Sequence, residues 1–383
     1  MSSLPSRSDV VIIGGGVMGA STAFHLAEAG VNVTLLERDS LASGSTSKAA
    51  GGVRANFSDE LNIALGLRSL EAFENFKVRP GQDIDLHQTG YLFILSKPED
   101  VELFEGSVKL QNSMGVESRM LTPQEAQEIS PLLNIDGVLA AAFSPRDGHC
   151  TPESVVLGYA TGARKHGASI HTGVEVTGIV HDGTTISAVE TTAGRVETST
   201  VINCAGAWSP RVGAMVGLDI PVIPYRREIL ITEPIPDLPA DFPMTIDFST
   251  SFYFHREGLG LLTGFSDQSV EAGYSLNRDD SFAEKLGELA MVRAPRVLDA
   301  GIRTGWAGLY EVTPDHNALL GEWKQMSRFL YATGFSGHGF LQGPAIGEIF
   351  RDLYLGKEPF VDISPLSIER FASGNLRPER NVV

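Results

Sequence analysis

Residues 9–19 read Asp9-Val10-Val11-Ile12-Ile13-Gly14-Gly15-Gly16-Val17-Met18-Gly19, and this stretch decides the fold. The apolar, largely β-branched run before Gly14 predicts a buried strand. The glycines that end it fit G-x-G-x-x-G: Gly14 permits the tight turn, Gly16 lets a pyrophosphate approach the backbone, and Gly19 lets the next helix lie close to the strand. That helix is expected over Val17–Ala29, with Gly30 as its stop. It would face phosphates with free N–H groups and the positive end of its dipole. A second strand is expected over Val31–Leu36, closed by Glu37 about 20 residues beyond the first glycine. A carboxylate there accepts hydrogen bonds from a ribose diol and repels a 2′-phosphate, which argues against NADP.

The spacing alone leaves FAD and NAD open. Ser43-Gly44-Ser45-Thr46-Ser47-Lys48-Ala49-Ala50-Gly51-Gly52 follows the second strand directly. This small, polar stretch suits wrapping a long, extended cofactor, or else it is a surface loop.

A chain of 383 residues exceeds what a single core usually fills, so two domains are expected. The 47 acidic against 30 basic residues give a net charge of −17, which argues against nucleic acid and anionic membranes as partners. No apolar run approaches the length of a membrane span. Met1 to Asp9 has no hydrophobic stretch of the secretory kind, and the cytoplasm is the expected compartment. Cys150 and Cys204 read as core thiols, and no metal site is expected.

Further along, Val174–Val180, Thr185–Thr191 and Val201–Cys204 predict strands separated by Asp182-Gly183 and Ala193-Gly194 turns. Thr122-Pro123 and Thr151-Pro152 predict helix starts with threonine at the N-cap, the first completed as a capping box by Glu125. A C-terminal helix is expected from near Pro344 to Leu355.

With these features together, the chain resembles the D-amino-acid oxidase-like flavoprotein family, in the branch of glycine oxidase, monomeric sarcosine oxidase, and the β subunits of heterotetrameric sarcosine oxidase and dye-linked proline dehydrogenase. The markers are Gly14 to Gly19 with Glu37, Ser43 to Arg54, Asp147-Gly148 with Pro152-Glu153, and Val201 to Trp208. Gly308-Leu309-Tyr310-Glu311-Val312-Thr313-Pro314-Asp315 and Ala332 to Phe340 complete them. The resemblance implies an α/β protein: a discontinuous, Rossmann-type FAD-binding domain from residues 1–85, 148–215 and 320–383, and a mostly antiparallel α+β substrate domain from 86–147 and 216–319.

The resemblance also implies the chemistry. The family oxidises the C–N bond of a glycine-type or secondary amino acid to an imine, which water hydrolyses, and O2 becomes H2O2. Cofactor contacts are implied for Gly14, Gly16, Val17, Met18, Glu37, Arg38, Ser45, Thr46, Ser47 and Lys48. Val176, Ala205, Gly206, Trp208, Gly337, His338, Gly339 and Phe340 extend the set. Arg54 matches the arginine that clamps the substrate carboxylate, Tyr253 and Tyr310 match pocket tyrosines, and His338 lies in the flavin-facing loop. Gly308 stands where monomeric sarcosine oxidase has its flavin-linking cysteine, which implies noncovalent FAD. Leu262 and Leu341 replace lysines of that enzyme, for oxygen activation and for carboxylate binding respectively. Tyr310 and Gly337 stand where glycine oxidase has its two glycine-binding arginines.

These departures point to a secondary amino acid larger than sarcosine, such as an N-alkyl or N-carboxymethyl glycine or a cyclic imino acid. Arg226 and Arg227 are open between a second anion site and structural ion pairs, and Lys48 between the flavin and a phosphate. Three alternatives stay open: a dehydrogenase subunit passing electrons to partner chains, an NAD-dependent dehydrogenase, and a noncatalytic flavin-binding protein. Homo-oligomers and partner subunits are both compatible with the sequence.

Overall fold

The structure, a computed structural model, describes residues 3–381, so the outermost two residues at each end of the expected 1–85 and 320–383 segments lie outside it. Val10–Ile13 forms the central strand of a six-stranded sheet. Parallel neighbours are Val33–Glu37 on one side and Val201–Asn203 on the other, with Ser169–Thr172 and Phe329–Thr333 outside them; Leu319–Glu322 closes one edge antiparallel. All four residues of the central strand are buried, as expected for a parallel sheet covered on both faces.

The helix after the glycine turn runs Val17–Glu28, and Gly30 adopts φ +84° beyond its end. The second strand begins at Val33, two residues later than expected, and includes Glu37. Asn32 instead closes the helix-to-strand turn, its carbonyl accepting from the amides of Asp9 and Val10.

The eight-stranded second sheet runs, in order, Ile302–Val312, Ile223–Thr232, Gly260–Phe265, Tyr253–Glu257, Met244–Asp247, Tyr91–Leu95, Ala140–Ser144 and Arg119–Leu121. Every pairing is antiparallel except that of Tyr91–Leu95 with Met244–Asp247. Between the large sheets, Gly52–Val53 pairs with Gly148–His149, tying the wrapping loop to the chain's return. Of the strands expected after residue 174, the first two form as Val176–His181 and Ile186–Thr191 and make an antiparallel meander with Gly194–Glu197, a strand not expected, while the third forms as Val201–Asn203 in the parallel sheet.

Thr122 makes the full capping box with Glu125. Thr151 occupies the N-cap of Pro152–Lys165, but its hydroxyl caps nothing. The C-terminal helix corrects the sequence reading: it starts at Gly339 and runs to Tyr354, with Pro344 inside it. A proline there removes one ladder hydrogen bond. Tertiary packing outweighs that loss, because Ala345, Ile346, Ile349 and Phe350 are fully buried. Gly343 and Gly347 also leave room for Val17 and Ser21 of the first helix.

Candidate active site

A cavity of about 710 Å³ lies between the two sheets, running from the glycine turn to the face of the antiparallel sheet. At its first end, Gly14 has φ +110°, and a Cβ there would strike the carbonyl of Cys204 on the neighbouring strand. Gly16 caps the helix without a side-chain acceptor, and Thr46 Oγ1 accepts from the Val17 amide at 3.1 Å. Glu37 Oε2 accepts from the Gly15 amide and Oε1 from the Asp39 amide, both at 2.7 Å, so the carboxylate is fixed at the rim of the turn. Arg38 lies 4.8 Å over the Trp208 ring.

Gly14, Gly16, Val17, Met18, Glu37, Arg38, Ser45, Thr46, Lys48, Val176, Ala205, Gly206, Trp208 and Gly337 to Phe340 all line this cavity. Ser47 is the one expected cofactor contact that is not among the walls of this cavity. It lies within the single turn Thr46–Lys48, with its amide on the Ala42 carbonyl, so that turn commits its neighbours rather than Ser47 to the cavity. The sequence reading missed Arg211, Tyr91 and Glu311, which also line it. Burial raises the Glu311 carboxyl to about 7, against hydrogen bonds from Thr333 and the Gly334 and Phe335 amides. A glycine cradle at a helix N-terminus, an acid fixed at its rim and a long, largely apolar groove together fit a dinucleotide such as FAD.

The other end is built by alternation. On the strand Ile223–Thr232, Tyr225, Arg227 and Ile229 share one face, and Arg227 and Ile229 reach the cavity. Arg226 faces away and pairs with Glu228 at 3.1 Å and Asp279 at 3.7 Å. The two arginines left open by the sequence therefore divide, Arg226 to structure and Arg227 to the cavity. Across the sheet, Gly264 lies opposite Tyr253, where a Cβ would come within 2.5 Å of the tyrosine hydroxyl. Gly308 lies opposite Arg227, and a Cβ there would come within 2.5 Å of Lys48 Cβ. The missing cysteine thus leaves neither a nucleophile nor space for one. Leu262 is buried in an apolar cluster with Ile229 and Ile231.

Arg54 is 5% exposed and lines the cavity beside Tyr91, its guanidinium 4.0 Å over the Phe57 ring. Its Nη1 donates to Asn56 Oδ1 at 3.0 Å and its Nη2 to the Asn381 carbonyl at 2.8 Å. Among the described residues no carboxylate lies within ion-pair distance of it, and burial lowers its pKa. Asn56 and Asn381 gave no sequence signal as partners, because they meet Arg54 through the return of the C-terminal segment. Asp147 lies behind it, fully buried, accepting from the Ala55 amide at 3.0 Å, its carboxyl raised to about 7 by burial.

Tyr253 and Tyr310 both wall the cavity, their hydroxyls made less acidic by burial. His338 is 2% exposed, and both its ring nitrogens lack partners among the described residues. Burial, then the charges of Arg54 and His316, lowers its pKa to about 3. It is therefore neutral at neutral pH, so the positive charge at this end belongs to Arg54, Arg227 and Lys48.

Residues 9–353 match the model of the family described as FAD dependent oxidoreductase. The dimethylglycine dehydrogenase of Rattus norvegicus mitochondria is 32% identical over 388 residues, which cover 95% of this chain and 45% of that protein. The chain thus spans less than half the length of that relative. Among solved structures, the L-proline dehydrogenase of P. horikoshii superposes with a TM-score of 0.93 at 34% identity, covering 98% of this chain and all of that one. The glycine oxidase of Geobacillus kaustophilus gives 0.86 at 27%, covering 96% and 99%.

Proposed function

This chain belongs to the FAD-dependent oxidoreductase family, and from that premise we propose that it oxidises the C–N bond of a secondary amino acid larger than sarcosine. The supporting observation is Arg54, a buried guanidinium that has no carboxylate partner among the described residues and lines the cavity beside Tyr91. Leaving such a charge uncompensated is costly, so a substrate carboxylate is its natural counterion. The relatives act on small amino acids or their N-methyl derivatives, as their names state.

When bound, FAD accepts the hydride from the carbon beside nitrogen. The residues of this chain position and protect that carbon. Arg54 holds the carboxylate, Tyr253 and Tyr310 form the walls, and the absence of a side chain at Gly264 makes room for Tyr253. Two electrons and two protons leave the CH–NH unit as it becomes an imine. Water then splits the imine to an oxo acid and an amine, and O2 takes the electrons and protons to give H2O2. With no side-chain nucleophile at Gly308, FAD would be held noncovalently, and Lys48, packed against Gly308 at the cavity wall, would supply positive charge to the cofactor. The expected division into 1–85, 148–215 and 320–383 against 86–147 and 216–319 is retained, supported by the segregation of strands between the two large sheets. A cytoplasmic location is retained as well, with Cys150 and Cys204 both buried and unpaired.

A second reading replaces O2 by a partner chain as acceptor, as suggested by the dehydrogenase names of two relatives and by Leu262 in place of a lysine. One experiment separates the two. The purified yellow protein is mixed anaerobically with secondary and primary amino acids, loss of flavin colour is followed, and oxygen is then admitted. Bleaching followed by peroxide supports the oxidase; bleaching without peroxide supports the dehydrogenase. Failure of every amino acid to bleach the flavin removes C–N oxidation itself.

A further inference from the structure

Arg227 is a second cation in the cavity, and nothing in the reaction proposed above requires it. Its Nη1 donates to the carbonyls of Arg226 at 2.9 Å and Asp267 at 3.4 Å, while its Nε is buried without a partner. Among the described residues no carboxylate pairs with it. The acids nearest in the fold are already engaged: Glu228 with Arg226 at 3.1 Å, and Asp267 with Lys285 at 2.7 Å. The guanidinium carbon lies 5.3 Å from the Tyr310 ring. Tyr310, Arg227 and Arg54 all line the same cavity; burial raises the tyrosine's pKa, and the charges of Arg227 and Arg54 both oppose that rise.

Arg227 does not serve the cradle. It projects from the antiparallel sheet, directly opposite Gly308 and on the same face as Ile229, whereas the pyrophosphate site is at Gly14 to Met18. A monocarboxylate satisfies one guanidinium and leaves the other without a counterion in the cavity. We propose that the substrate is an N-carboxyalkyl amino acid, with its α-carboxylate on Arg54 and the carboxylate of its N-substituent on Arg227. N-carboxymethylglycine is the smallest member of this class. The inference rests on the C–N oxidation reading for its choice of nitrogen between the two anions, but the two-anion site itself does not.

Thioether analogues test the site without turnover, since sulfur replaces the amine. Thiodiacetate, with two carboxylates, and methylthioacetate, with one, are titrated into the FAD-loaded protein while the visible flavin spectrum is followed. Thiodiacetate should bind about tenfold or more tightly, the worth of one further charge-assisted contact. Arg227→Gln should abolish that preference while changing methylthioacetate by less than about twofold, and Arg227→Lys should keep part of it. Equal binding of both analogues to the unaltered protein overturns the proposal, as does equal weakening of both by Arg227→Gln. The preference in the unaltered protein decides the matter if the glutamine variant does not fold. A preference without bleaching by any amine would retain the two-anion site and remove the oxidation; bleaching without a preference would do the reverse.

Discussion

Tyr310 packs its ring over Gly337 so closely that a Cβ at position 337 would run into Cε2 of the tyrosine. The two positions that carry arginines in glycine oxidase are therefore occupied here by one aromatic wall and the space it needs. Gly337 also has φ +101°. Gly337→Ala should cost about 1–3 kcal/mol from backbone strain and overpacking. Thermal unfolding should register that loss, and weakened binding of carboxylate ligands should report the displaced tyrosine.

Gly308 and Lys48 define a similar exclusion. Denaturing the protein in acid should release all its flavin into the supernatant; flavin remaining with the protein would contradict noncovalent binding. Gly308→Cys should lower stability by about 1–3 kcal/mol through contact with Lys48 Cβ, without creating a flavin link.

Arg54→Gln should weaken carboxylate ligands by roughly 10- to 100-fold, as for a lost charge-assisted hydrogen bond. Binding of an amine that lacks the carboxylate should hardly change. Flavin absorbance titration measures both, and equal losses would assign Arg54 a structural role.

Glu379 is 4% exposed and holds the C-terminal segment in place for Arg54. Its Oε1 accepts from the Ser58 amide and the Asn381 amide, both at 2.9 Å, and its Oε2 from Asn62 at 2.9 Å. Glu379→Ala should destabilise the protein by about 1–3 kcal/mol, because several buried donors lose their acceptor. Denaturant unfolding gives that figure, and a rise in KM larger than the fall in kcat would show that Arg54 has loosened with the segment.

His338 makes stability depend on pH. Its folded value of about 3 lies below the ordinary 6.5, so between these values the unfolded chain binds the extra proton. Its contribution is complete above the ordinary value, declines as pH falls, and is gone below the folded value. The slope is at most about 1.4 kcal/mol per pH unit. Glu311, raised to about 7 from 4.5, acts oppositely: its contribution is complete below the ordinary value and is lost as pH rises through the folded one. Denaturant midpoints across this range should flatten on the acid side in His338→Asn and on the neutral side in Glu311→Gln.

Local sequence determined the cradle. A β-branched run, three spaced glycines and an acid after the second strand each act through backbone geometry within some thirty residues, and no distant partner is needed to read them. The threonine caps were readable for the same reason, although the Thr151 hydroxyl proved idle. Tertiary structure decided the rest. Pro344 reads locally as a start, yet burial against the first helix lets the helix begin at Gly339, well ahead of it. Arg226 and Arg227 are indistinguishable in composition, but a strand alternates its faces, and only the pairing of that strand with Gly308 and Tyr310 assigns Arg227 to the cavity. Arg54 was visible as a residue, but the partners that aim it, Asn56 and Asn381, meet across 325 residues of chain, a closure that no local pattern encodes.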